Sequence, residues 1–350
     1  MGMLRRSSVL GLRLSLRLSL RLGLAGLTLA ATGACSSSSA DESPAESGNA
    51  RAGEIHGSDV WKDGLVLSGT VTIAKDGNVE IAPGARITAA EGALLRVEGT
   101  LRAKASASHA KITSPRWQGV IIAAGGKADL EGLELENGLV GIATAEGAQD
   151  SRFADGAILN SLKPFVVKKG SKLTVANVKA TTPKVLAKGD TSQADIEGSL
   201  VATKLDYDAR ASEGISVGPG GDLDLQDSVV HGTTGADLVS AYGAKKVKLA
   251  YSTFKGSHCG IHIEPSESFE IDHVTSESTY GITIYGSGAG PNIVKASNFT
   301  GTGAWLDFAG QNGMITFDNV FATGTEILNG GPVPPTIKKA PAAIPDAKPR

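Results

Sequence analysis

Aromatic residues make up only 5% of this 350-residue chain, and cysteine occurs twice, as Cys35 and Cys259. Two cysteines build no disulfide framework. Cys259 reads as a small buried apolar residue rather than a reactive thiol. Long apolar runs are missing too. The most apolar stretch, Leu22–Ala31, is interrupted by Gly23 and Gly26, and a membrane-spanning helix needs about 20 apolar residues. Positive charge thins out along the chain: after Arg116 the only arginines are Arg152, Arg210 and Arg350. Arg5, Arg6, Arg13, Arg17 and Arg21 stand in a leader without acids. Removing these five from the 34 basic residues leaves 29 against 36 acidic ones, a balance of −7 where the whole chain carries −2. An acidic body without a basic run argues against nucleic acid as a partner. No Walker loop and no Ser-nucleophile elbow is present. The strings Ala123-Ala124-Gly125-Gly126 and Gly218-Pro219-Gly220-Gly221 read as turns.

Glycine is abundant, at 45 residues. Each glycine disfavours a helix interior by roughly 1 kcal/mol, so the composition points to short strands and tight turns. Residues 1–34 combine Arg-rich, apolar and small-residue segments, the pattern of a secretory signal. They end in Thr32-Gly33-Ala34-Cys35, which resembles the lipobox of bacterial lipoproteins, with Thr32 standing where Leu is usual. The resemblance implies that Cys35 is acylated and becomes the mature N-terminus, so that the membrane is a partner through the lipid. Ser36 resembles the pattern sent to the outer membrane. Residues 35–52, with Ser36–Ser39 followed by Ala40-Asp41-Glu42-Ser43-Pro44, read as a flexible polar tether. The alternative is ordinary cleavage after Ala34, giving a secreted or periplasmic soluble protein.

From residue 53 a repeat begins. Segments starting at Leu223, Val247, Phe269, Ile293 and Ile315 fall in register, each followed by a second strand: Asp237–Val239, Gly260–Ile263, Gly281–Ile284, Ala304–Phe308 and Glu326–Leu328. One such turn cannot bury its own apolar face, whereas stacked turns share an interior and pair each strand with its neighbours about 4.8 Å above and below. The fold class is therefore all-β: a single right-handed parallel β-helix, or solenoid, of about a dozen coils over residues 53–330. Asp227, Ser297 and Asn319 read as one column of small polar residues at a bend. Inserted loops are expected within 149–215. Residues 331–350 hold six prolines without periodicity and read as a disordered tail.

The start of the repeat carries a family resemblance. Val79-Glu80-Ile81-Ala82-Pro83-Gly84, Leu94–Ala103, Ile112-Thr113-Ser114 and Trp117-Gln118-Gly119-Val120 resemble, in order, the opening of bacterial pectin-lyase-like β-helix proteins. That resemblance implies the fold and leaves the activity open, because the superfamily includes lyases, hydrolases, adhesins and lipoproteins. Phe269–His273 resembles the Ile-Asp-His segment of pectate lyases, without their Arg-rich segment or Asp ligands for calcium.

Strand alternation supplies the candidate site. With Ile261, Ile263, Ile282, Ile284, Leu306 and Phe308 inward, the outward binding residues are His262, Glu264, Thr283, Tyr285, Trp305 and Asp307. Two exposed aromatics beside carboxylates suit sugar rings. Glu264 and Asp307, two rungs or about 9–10 Å apart, are the candidate catalytic pair, at the upper edge of inverting glycosidase spacing. His258 and His262, with Cys259 between them, have the spacing of half a zinc motif, and no second ligand pair accompanies them. No metal and no cofactor is expected. The expected function is a cell-envelope scaffold or polysaccharide-binding module. Alternatives are a polysaccharide-degrading hydrolase or lyase and a purely structural spacer.

Overall fold

Alternating apolar and polar residues in short segments dictate a wound sheet. A computed structural model describes residues 49–350 apart from Gly189, Ala211, Thr234, 310–313 and 330–334. The leader, Cys35 and most of the tether lie outside the described residues. Among the described residues, 30 strands pair in parallel as a right-handed β-helix of about 12 turns. It opens at Ala50, whose strand Ala50–Ile55 pairs with Val66–Ile73, three residues before the expected start. One inward column rises through Val71, Leu95, Val120 and Ile142. Further along it continues through Ile215, Val239, Ile261, Ile282 and Leu306. All of these are buried, so each coil completes the core of the next.

The bends follow from backbone geometry. Asp155, Asn177, Lys204, Asp227, Tyr251, His273, Ala296 and Asn319 all have φ between 43° and 55°. They occupy one bend position in successive coils, since the residues just before them pair rung by rung. The column is polar where it can be, because Asn and Asp tolerate left-handed backbone best. Asp227 and Asn319 belong to it as expected, but Ser297 does not. Ser297 is the next residue in its coil and points inward with Ser228 and Ser252. Each of these hydroxyls donates to the carbonyl two residues back and accepts the N–H of the coil below, as in Val274 N to Ser297 Oγ at 3.1 Å.

Two further expectations are corrected, and the inserted loops expected within 149–215 are narrowed to one. Asn292, not Ile293, aligns with Phe269 and Ile315. Asn292 turns inward because its amide donates to the carbonyls of Gly288 and Gly290, which leaves Ile293 facing out. The looseness within 149–215 reduces to one excursion between the strands Lys172–Thr181 and Ala194–Ile196.

The Pro-rich tail is ordered where it is described. Strand Thr336–Lys339 pairs with the coil at Thr316–Val320, and the chain then runs back over the bends. Asn298 exchanges hydrogen bonds with the backbone of Ile344 at 2.8 and 2.9 Å. Thr275 donates to the Ala347 carbonyl. Arg350 pairs with Asp227 and lies 3.8 Å over the Tyr251 ring. Proline excludes helix and sheet interiors, yet an extended strap bonded through side chains tolerates it.

Candidate functional site

Strand Cys259–Ile263 builds the centre of the site. Ile261 and Ile263 fill the core, so His262 faces out. In the neighbouring rungs its register partners are Ser240, Thr283 and Asp307. This outward column is sunken: Ser240 and Thr283 are 2% exposed and Asp307 8%. Two positions further along each strand stand Tyr242, Glu264 and Tyr285, stacked in the same order by Glu264 N to Ala241 O and Tyr285 N to Ile263 O. Tyr242 and Tyr285 are 37% and 40% exposed. The result is a polar floor flanked by a tyrosine–glutamate–tyrosine ridge.

Hydrogen bonds fix the floor. The Nδ1 of His262 bonds Asp237 Oδ2 at 2.7 Å, and its Nε2 lies 3.6 Å from Glu264 Oε1. The ring packs edge-on to Tyr285 at 5.3 Å and tilted to Tyr242 at 5.8 Å. The Tyr285 hydroxyl donates to Asp307 Oδ2 at 2.5 Å, and Asn329 donates to Asp307 Oδ1 at 3.5 Å. Burial, together with that bond to Asp307, pushes the Tyr285 pKa upward, so the phenol stays a donor. Cys259 lies beneath, with Sγ 3.4 Å from Thr283 Oγ1. Burial, reinforced by Asp237, pushes its thiol up to about 12. A thiol held in its neutral form is a poor nucleophile.

Five of the six sequence-derived residues therefore belong to one strip: His262, Glu264, Thr283, Tyr285 and Asp307. Trp305 does not. It is fully buried between Phe299 and Phe317, and its Nε1 donates to Glu326 at 3.2 Å. Two successive residues face inward at this position: Leu238 with Val239, and Trp305 with Leu306. In the two intervening coils that extra position is held by Gly260 and Gly281. An added Cβ there would stand 1.9 Å from Ser276 Oγ or 3.3 Å from Phe299 Cβ.

The structure adds residues that the sequence reading left out, namely Asp237, Tyr242 and the thiol of Cys259. Tyr242 follows Ser240 just as Glu264 follows His262, so carrying the register one coil back finds it. Asp237 shares the register position of Cys259. The other histidines lie apart from the strip. His231 sits beside Asp206 and Asp208. His258 packs on Tyr280. His273 stacks on Tyr251 and bonds Asp272, so the Ile-Asp-His segment serves a bend. Asp307, with both oxygens engaged, is an anchor for Tyr285 and Asn329. No family model, no curated protein and no solved structure matches this chain. Fold and site together define its class: a parallel β-helix bearing a histidine–carboxylate–tyrosine strip.

Proposed function

We propose that this protein is a cell-envelope lipoprotein whose β-helix binds an extended polysaccharide along the strip from Ser240 to Asp307. The Tyr242–Glu264–Tyr285 ridge carries this reading. Two half-exposed rings, two rungs or about 9.6 Å apart, flank a carboxylate above a floor of hydroxyl, imidazole and carboxylate groups. Aromatic faces suit the C–H faces of sugars, and charged acceptors suit their hydroxyls.

Tyr242→Ala and Tyr285→Ala are each expected to weaken glycan retention about tenfold, or about 1.4 kcal/mol. Melting temperature should change little in Tyr242→Ala, whose ring is half-exposed, and fall moderately in Tyr285→Ala, which takes the phenol donor from the buried Asp307 carboxylate. Affinity electrophoresis against a panel of plant, algal and bacterial polysaccharides measures this. Unchanged retention in the double variant would remove the strip from the binding site. Release of reducing ends that vanishes in Glu264→Gln would replace binding by hydrolysis.

The anchor rests on Thr32-Gly33-Ala34-Cys35. Acylation of Cys35 is expected to send the wild-type protein into the detergent phase and Cys35→Ala into the aqueous phase. A wild type that stays aqueous would make this a soluble exported protein.

A further inference from the structure

Asp237, Cys259 and His262 come from two adjacent rungs. One donor atom of each lies within 4.8 Å of the other two. With metal–ligand bonds of about 2.0–2.3 Å, tetrahedral ligand atoms sit roughly 3.3–3.8 Å apart, so small side-chain rotations bring all three into a coordination sphere. We propose that this triad binds a borderline-soft divalent cation of the zinc type, with its fourth position open on the strip. The site shares the strip with the polysaccharide reading but does not rest on it.

Three observations carry the proposal besides proximity. First, the ring nitrogen Nε2 of His262 is buried and has no hydrogen-bond partner, an uncommon state for a buried polar atom. With Nδ1 on a cation, the ring proton moves to Nε2 and points at Glu264 Oε1, 3.6 Å away. Such a carboxylate behind a ligating histidine is what metal sites use to orient the ring. Second, the carboxylates of Asp237, Glu264 and Asp307 crowd the strip, yet among the described residues no Lys or Arg lies within ion-pair distance of any of them. A divalent cation would offset that charge. Third, the donor set is chemically selective. A thiolate with an imidazole and one carboxylate suits zinc-type ions, whereas calcium and magnesium take oxygen ligands.

The proton balance is simple. Binding releases the Cys259 thiol proton to solvent, and the imidazole exchanges its Nδ1 proton for one at Nε2. Sequence spacing alone could not reveal the triad. Cys259 and His262 are neighbours in one strand, but Asp237 is supplied by the coil below, 25 residues away from His262.

Cobalt(II) titration of the full-length protein tests the site, because cobalt bound to a thiolate gives a charge-transfer band in the near ultraviolet. The expected result is one cobalt per chain, displaced by zinc. The band should survive Cys35→Ser and vanish in Cys259→Ser. Glu264→Gln should weaken zinc binding about 10–100-fold. Cys259→Ser is nearly isosteric, and the Cys35→Ser protein alone already decides the matter if the serine variant misfolds. Absence of the band in the Cys35→Ser protein overturns the proposal. Zinc binding that is unchanged in Cys259→Ser and Asp237→Asn does the same, and marks an adventitious ion only. Loss of glycan retention with the band intact would sink the polysaccharide reading and leave this one standing.

Discussion

Trp305→Ala is expected to destabilise the protein by about 3–5 kcal/mol, the range for removing a fully buried large aromatic. The ring sits 6.1 Å from Phe299 and 5.7 Å from Phe317, centroid to centroid. Its indole N–H donates to Glu326, and Lys339 lies 5.6 Å from the ring. The coil below presents Gly281 at that position and so offers no side chain to refill the space. In a stack of repeats each unit leans only on its neighbours, so the damage should be local. Hydrogen exchange should accelerate across 222–350, the coils that the C-terminal strap ties together, and stay unchanged between 66 and 180, and the melting temperature should fall with it. A variant that melts with the wild type would return Trp305 to the surface.

Gly119→Ala is expected to be at least as severe, on the order of 4 kcal/mol or more. Gly119 has φ +106°, and an added Cβ would stand 1.8 Å from the Val140 carbonyl oxygen of the next coil. The clash is with backbone, so relief requires the two coils to part. Gly125→Ala provides the control. Its φ of +79° is also left-handed, but nothing lies within 4 Å of the added Cβ. It should lose only about 1 kcal/mol. Thermal melts of the two variants separate steric clash from backbone strain, and equal losses would mean the coils can spread at Gly119.

The sequence disclosed the solenoid because its core strands alternate cleanly. Ile261, His262, Ile263 and Ile282, Thr283, Ile284 state their own facing, and the structure agrees. Trp305 misled for a definite reason. The extra inward position before the strand is occupied by glycine at 260 and 281, and a glycine carries no polarity to read. Asn292 misled in the opposite way. A polar residue took an inward place because loop carbonyls satisfied it, and Ile293 beside it looked like the better core residue. Five members of the site, His262, Glu264, Thr283, Tyr285 and Asp307, were legible along single strands. Its remaining members, Asp237 and Tyr242, reach it from the coil below, so they became visible only once the rung-to-rung register was known. The strap was hidden because its order comes from partners such as Asn298 and Asp227 rather than from any pattern of its own.

That strap changes how the stack behaves as a whole. A linear array couples nearest neighbours only and can fray one unit at a time. The contact between Arg350 and Asp227 spans 123 residues, and between them residues 340–350 touch the bends of the intervening coils. Peeling any one of these coils away first requires the strap to lift. Residues 222–350 therefore open and close as one cooperative segment, with a threshold for unravelling that the strapless coils before Asp227 do not share.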